Sequence, residues 1–283
     1  MFLIQSTLSN EKRIKDKFIE FFPMEYKEKA LSTGKVRVYT FGELKLHAYE
    51  TSDGLADECY IVESKNELVG IEIPTFEANI KEYKDYAESL GKPLNNIFVD
   101  LHPVGASFFE GVKFIGTKGA KEAIASGSTR GTLNALSGIP GFDSKDTAEI
   151  SEFIDDKTTI DGVEYEIKDY GDEYDIVIPA MNVVYTHMLG SIVHSIVGGV
   201  AGADAMLEKL NGYKKAGYKL ILTSHFVPEG QEAVDAKIAY IENEKKIAGE
   251  SKDAEEFKAK MKEAYPDYLG ENYLDMSAGF FFA

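Results

Sequence analysis

The chain has little sulfur to cross-link it and a deficit of positive charge. One cysteine, Cys59, excludes an intrachain disulfide and suits a reducing compartment. It precedes Tyr60, Ile61 and Val62, a setting that predicts a buried structural thiol rather than a nucleophile. Lysine and arginine number 31 against 48 acidic residues, a net charge of −17. That balance argues against nucleic acid or an anionic membrane surface as the main partner. Short catalytic signatures are missing as well. There is no HExxH, no paired CxxC and no G-x-S-x-G elbow, so covalent catalysis has no support.

The apolar start, MFLIQ, is too short for a secretory h-region. The longest charge-free run, residues 176–203, is interrupted by Pro179, Asn182, His187, Ser191, His194 and Ser195. Its β-branched pairs (Val183 and Val184, Ile192 and Val193, Ile196 and Val197) predict two buried strands with a loop between them, not a membrane span. A cytoplasmic location is expected. Hydrophobic residues at 44% are ample for a core.

Mixed charges around Ile14, Phe18, Phe21 and Phe22 predict an amphipathic helix over 9–31. Four short β-rich runs follow at 36–41, 44–49, 59–62 and 68–73, the spacing of an antiparallel meander. Helical periodicity returns over 76–90 and stops at Gly91, and strands follow at 97–99 and 112–116 with a short helix at 118–124. Residues 126–160 carry little pattern and read as an insertion or lid, in which Arg130 could serve an anion. Strand texture resumes at 163–167, 175–178 and 182–185. A helix is predicted at 203–216, a strand at 219–222 and closing helices at 231–247 and 253–264. The run Gly198–Ala203 lacks dinucleotide-loop spacing and implies close backbone packing. The aromatic tail (Tyr265, Tyr268, Tyr273, Phe280, Phe281, Phe282) is expected to dock on its own domain or, in a homo-oligomer, on a second copy.

The candidate chemistry lies with histidine. Ile97-Phe98-Val99 delivers Asp100 and His102 into a loop marked by Pro103 and Gly105, and residues two apart on a strand share a face. His187 and His225 each end a similar apolar run, so three imidazoles can converge on one rim of a sheet. Imidazole with carboxylate suits zinc, iron or manganese. The competing reading is a hydrogen-bonded polar cluster without metal. For His47, alternating out of a strand beside Lys45, the surface is expected, and for His194 a satisfied core position.

In element order the chain resembles the metallo-β-lactamase superfamily, a four-layer αββα sandwich of α+β class with its metal site on one edge. The likeness covers residues 36–245 of a single domain, 1–283, with residues 246–283 closing it. The family's hallmark strand ends Thr-His-x-His-x-Asp-His. The matching stretch here is Val99-Asp100-Leu101-His102-Pro103-Val104-Gly105, so His102 is kept, Asp100 replaces a histidine, and Val104 and Gly105 replace the donors to a second metal. The resemblance further implies that Glu72-Ile73-Pro74-Thr75 stands where the family has its Asp-x-Gly turn. Asp172 would stand in for a histidine ligand, His187 or Met188 would replace the bridging carboxylate, and His225 would be the retained final histidine. It thus implies a degenerate centre of at most one ion on Asp100, His102, Asp172, His187 and His225, with Asp100, His102, Asp172 and His225 serving catalysis. Two functions stay open. One is a hydrolase of small esters, amides or lactones, and the other a metal-free module binding a ligand or partner in the same cleft.

Overall fold

The computed structural model describes residues 24–283. They divide into two compact units, one made of residues 24–188 and 219–228, the other of 189–218 and 229–283.

The first unit holds both β-sheets. The four-strand meander predicted from the β-rich runs, preceded by one further strand, is the antiparallel half of an eight-stranded sheet in sequential order: β1 (Lys27–Ala30), β2 (Gly34–Phe41), β3 (Leu44–Thr51), β4 (Glu58–Glu63) and β5 (Leu68–Ile71). The chain then crosses over through α1 (Glu77–Ser89), and β6 (Leu94–Phe98), β7 (Lys113–Gly116) and β8 (Ile150–Phe153) continue the sheet in parallel. Helix α1 buries the stripe Ile80, Tyr83, Tyr86 and Ala87, and the Tyr83 hydroxyl donates to the Tyr60 carbonyl at 2.9 Å. Its last helical residues precede Gly91, the expected stop.

The second sheet has five strands: β9 (Lys157–Ile160), β10 (Val163–Asp169), β11 (Tyr174–Ile178), β12 (Val183–Thr186) and β13 (Leu220–Thr223). All its neighbours are antiparallel except β12 and β13, which run parallel. Asp161 and Gly162 both take positive φ between β9 and β10, the geometry a two-residue hairpin of matching twist requires. The Asp161 carboxylate there accepts from Ser64 and Asn66 beside the first sheet. The sheets meet through aromatics: Phe98 lies on Tyr165 with centroids 5.1 Å apart, and Tyr60 lies edge-on to Tyr185 at 6.2 Å. The Tyr174 hydroxyl crosses from β11 to the Val99 carbonyl at 2.8 Å. Cys59 is buried in β4, as expected, and burial pushes its thiol well up.

The helix expected at 118–124 is α2 (Lys118–Ser126), and the unpatterned stretch 126–160 that follows holds α3 (Ser128–Ala135) and β8. The Arg130 guanidinium donates to the carbonyls of Ile124 and Ser144 and to the Thr147 hydroxyl. The helix expected over 9–31 lies outside the described residues as far as position 23, and Lys27–Ala30 is strand β1. His47 is buried rather than surface-placed: its ring nitrogens meet the Tyr86 hydroxyl at 2.7 Å and Glu63 at 3.0 Å.

The second unit is helical: α4 (Gly199–Ala216), α5 (Gln231–Gly249), α6 (Ala254–Ala264) and α7 (Glu271–Phe281). The strand expected over 192–197 is absent, because other elements satisfy its backbone. The Lys237 ammonium donates to the Val193 carbonyl at 2.7 Å, and His194 N–H reaches the Leu269 carbonyl at 2.8 Å. Ser277 accepts from Val197 N–H and donates to the Ser195 carbonyl. His194 is a satisfied core residue, bonded to the Tyr240 hydroxyl at 2.9 Å. The glycine run at 198–203 opens α4, where a Cβ on Gly199 would meet the Phe280 carbonyl oxygen at 3.1 Å. The aromatic tail packs on its own chain through Phe281 and Phe282 against Phe257.

Glu63 supplies a pH test of the first sheet. Burial alone would raise its carboxyl, but hydrogen bonds from Lys92, Lys45 and His47 outweigh it and hold it at about 2. With the folded value below the ordinary 4.5, its stabilisation is full above pH 4.5 and is lost as pH falls toward 2. Glu63→Gln should lower stability at neutral pH and flatten the acid limb of a urea-midpoint titration. A limb parallel to that of the wild type would refute this assignment.

Candidate metal centre

The segment carrying His102 leaves β6 at Phe98 and folds around a carboxylate. Glu72, just past β5, is buried and sits at φ 61°, a backbone conformation that costs a residue with a Cβ. Its side chain accepts N–H groups from Asp100 (3.3 Å), Leu101 (3.2 Å) and His102 (3.1 Å), and the Tyr185 hydroxyl from β12 at 2.9 Å. Burial raises this carboxyl to about 7, against the pull of the Tyr185 hydroxyl and the three amides. Beyond His102 the chain turns at Gly105, where φ is 88° and a Cβ would meet Ile80 Cδ1 at 2.5 Å.

His187 follows β12 and His225 lies two residues past β13. Because β12 and β13 are parallel neighbours, their carboxyl ends share one edge, and Ser224 N–H donates to the His187 carbonyl at 2.9 Å. His102, His187 and His225 come together there. Ring centroids are 4.8 Å apart for His102 and His225, 5.0 Å for His187 and His225, and 5.5 Å for His102 and His187. One nitrogen of each lies within 4.8 Å of the others. Among the described residues this is the one group of three or more histidine, cysteine or acidic side chains so placed.

Asp57 stands behind two of these rings. Its Oδ1 is 3.4 Å from His225 Nδ1 and 3.8 Å from His102 Nδ1, while its Oδ2 accepts Thr75 N–H at 3.0 Å. Burial alone would raise its carboxyl, but the His102 and His225 imidazoles and the Thr75 amide hold it at about 2. His102 is lowered to about 4, chiefly by burial, so its imidazole is neutral at physiological pH. Neutral imidazoles backed by a carboxylate are the donor set a zinc-like cation takes. His225 Nδ1 also lies 3.0 Å from the Leu55 carbonyl, an acceptor only, which leaves its Nε2 lone pair for a ligand. The residues fit one divalent ion.

The two carboxylates singled out from sequence lie elsewhere. Asp100 is buried, but its Oδ2 accepts Tyr174 N–H at 3.1 Å. Burial and the neighbouring Glu72 raise its carboxyl well up. The strand ends at Phe98, so the two-residue periodicity does not reach from Asp100 to His102. Asp172 sits in the exposed turn between β10 and β11, bonded to the Ser128 hydroxyl at 2.7 Å. Sequence reasoning missed Asp57 as a site residue and the grip of Glu72; the available signal was an acid flanking each of two apolar strands.

No family model matches the sequence, and no curated protein matches it. Solved structures do. A metallo-β-lactamase family protein from Thermus thermophilus is 11% identical, with 84% of this chain and 91% of that one covered and a TM-score of 0.59. The sec-alkylsulfatase Pisa1 from Pseudomonas sp. is 17% identical over 83% of this chain, TM-score 0.54. The chain spans about half of that protein's length, 48%. A metallo-β-lactamase from Erythrobacter litoralis is 11% identical over 77% of this chain and 100% of its own, TM-score 0.51. The fold is therefore the metallo-β-lactamase fold, the two-sheet sandwich that the order of elements implies. No helix among the described residues is long and apolar enough to cross a membrane.

Glu72→Gln keeps one acceptor oxygen but turns an NH2 group toward N–H donors. It should cost about 1–3 kcal/mol in chemical denaturation, the range for leaving buried hydrogen-bonding groups unsatisfied. An unchanged denaturation midpoint would show that the carboxylate does not hold the segment at 100–102.

Proposed function

We propose that the protein holds one zinc, iron or manganese ion on His102, His187 and His225 and hydrolyses a small ester, amide or lactone. The observation that carries this reading is the meeting of three imidazoles at the carboxyl-end edge of β12 and β13, in a fold shared with metallo-β-lactamases. When bound, such an ion supplies Lewis acidity, polarising a carbonyl oxygen and lowering the pKa of water. The chain's own residues do the rest. The His102 imidazole stays neutral and so keeps a lone pair to offer. Glu72 fixes the backbone that carries His102, and the Tyr185 hydroxyl, 2.5 Å from Ser224 Oγ, links that carboxylate to the segment carrying His225. Asp100 and Asp172 are outside this donor set. The excess of acidic residues favours a neutral or cationic small substrate over a polyanion.

Protein purified without chelator should carry about one equivalent of zinc, iron or manganese by elemental analysis. His102→Gln, His187→Gln and His225→Gln should each fall below a tenth of that. An ion at 100 times its Kd adds about 2.7 kcal/mol, so chelation should lower the melting temperature by about 5–10 °C. Wild-type protein with under a tenth of an equivalent and a melting temperature indifferent to chelator would overturn the proposal in favour of a metal-free binding module.

A further inference from the structure

We infer that Asp57 is a positioning residue, which sets the tautomer and the orientation of His102 and His225; the inference rests on reading the three histidines as a metal centre. Asp57 is held on every side. Its carbonyl accepts Thr51 N–H at 2.9 Å, its backbone forms an isolated antiparallel bridge with His225, and its Oδ2 takes Thr75 N–H. The side chain is 0% exposed, and Oδ1 has no hydrogen-bond partner closer than the two imidazoles. A buried carboxylate oxygen requires donors. The nitrogens facing it are Nδ1 of His225 and Nδ1 of His102, and the latter is itself buried without another partner.

Both needs are met together if each Nδ1 carries its proton and turns it toward Asp57. The Leu55 carbonyl, 3.0 Å from His225 Nδ1, enforces the same tautomer from a second direction. With Nδ1 protonated, Nε2 of each ring keeps its lone pair, and both rings are locked by one carboxylate that cannot move away. One rigid acid thus aligns two imidazoles that the sequence places 123 residues apart. A neutral amide at position 57 would retain the shape but has one acceptor oxygen for two sides: with that oxygen on the rings its NH2 meets Thr75 N–H, and with it on Thr75 the NH2 faces the rings.

The experiment uses the full chain and the variant Asp57→Asn. Zinc affinity measured against a competing chromogenic chelator should weaken by about 10- to 100-fold in Asp57→Asn, the range for loss of a partner behind a histidine ligand, at unchanged stoichiometry. Long-range ¹H–¹⁵N spectra of the metal-free wild type at pH 8 should show His102 and His225 as Nδ1–H tautomers, with resonances assigned from His102→Gln and His225→Gln. Equal zinc affinity in Asp57→Asn, or Nε2–H tautomers in the wild type, overturns the role of Asp57 and leaves the metal reading intact. Failure of the wild type to take up zinc, iron or manganese overturns the metal reading, and the tautomers then decide alone whether Asp57 orients the rings. The wild-type spectra decide the point equally if Asp57→Asn does not fold.

Discussion

Three consecutive amides turn inward to a single buried carboxylate: Asp100, Leu101 and His102 all donate to Glu72. Successive peptide N–H groups alternate in direction along a strand, so their convergence here marks a turn shaped around that acceptor. Glu72 in turn lies at a positive φ, and its second demand is met by the Tyr185 hydroxyl from the facing sheet. Strain at one residue is thus offset by four hydrogen bonds, and the placement of His102 follows from them.

Around that anchor the chemistry is economical. A net charge of −17 is spread over the chain, yet the centre itself is built from imidazoles, with Asp57 as the acid facing two of them. Asp100, brought close to Glu72, is pushed toward its neutral form rather than adding charge. Burial keeps His102 unprotonated, and a lone pair is what any cation requires.

Much of this was legible in the letters, and for identifiable reasons. Four short β-rich runs along 36–73, separated by turn residues, specified a meander because short connections leave consecutive strands to pair as antiparallel neighbours. His187 and His225 announced themselves as polar residues ending apolar runs. Asp100 misled because the periodicity of a strand was carried past Phe98, where the strand stops. Asp172 misled because element order fixes which turn a residue occupies but not what lies near it. The stretch 192–197 reads as strand by composition, but Lys237, Leu269 and Ser277 supply its backbone partners from far along the chain. No local pattern encodes such partners. Asp57 and Glu72 were hidden for the same reason: the donors that reveal them come from distant segments.

The threading of the chain between the units has a kinetic consequence. The first unit receives β13 and His225 only after residues 189–218 have been laid down in the other unit. Tyr60 must wait 163 residues for its bond to Thr223. Closing so large a loop is entropically opposed, and the three histidines are brought together only once it is closed. During synthesis, a ribosome-bound chain short of residue 225 exposes the β12 edge with two imidazoles and no third, a species dependent on protection from strand-edge aggregation.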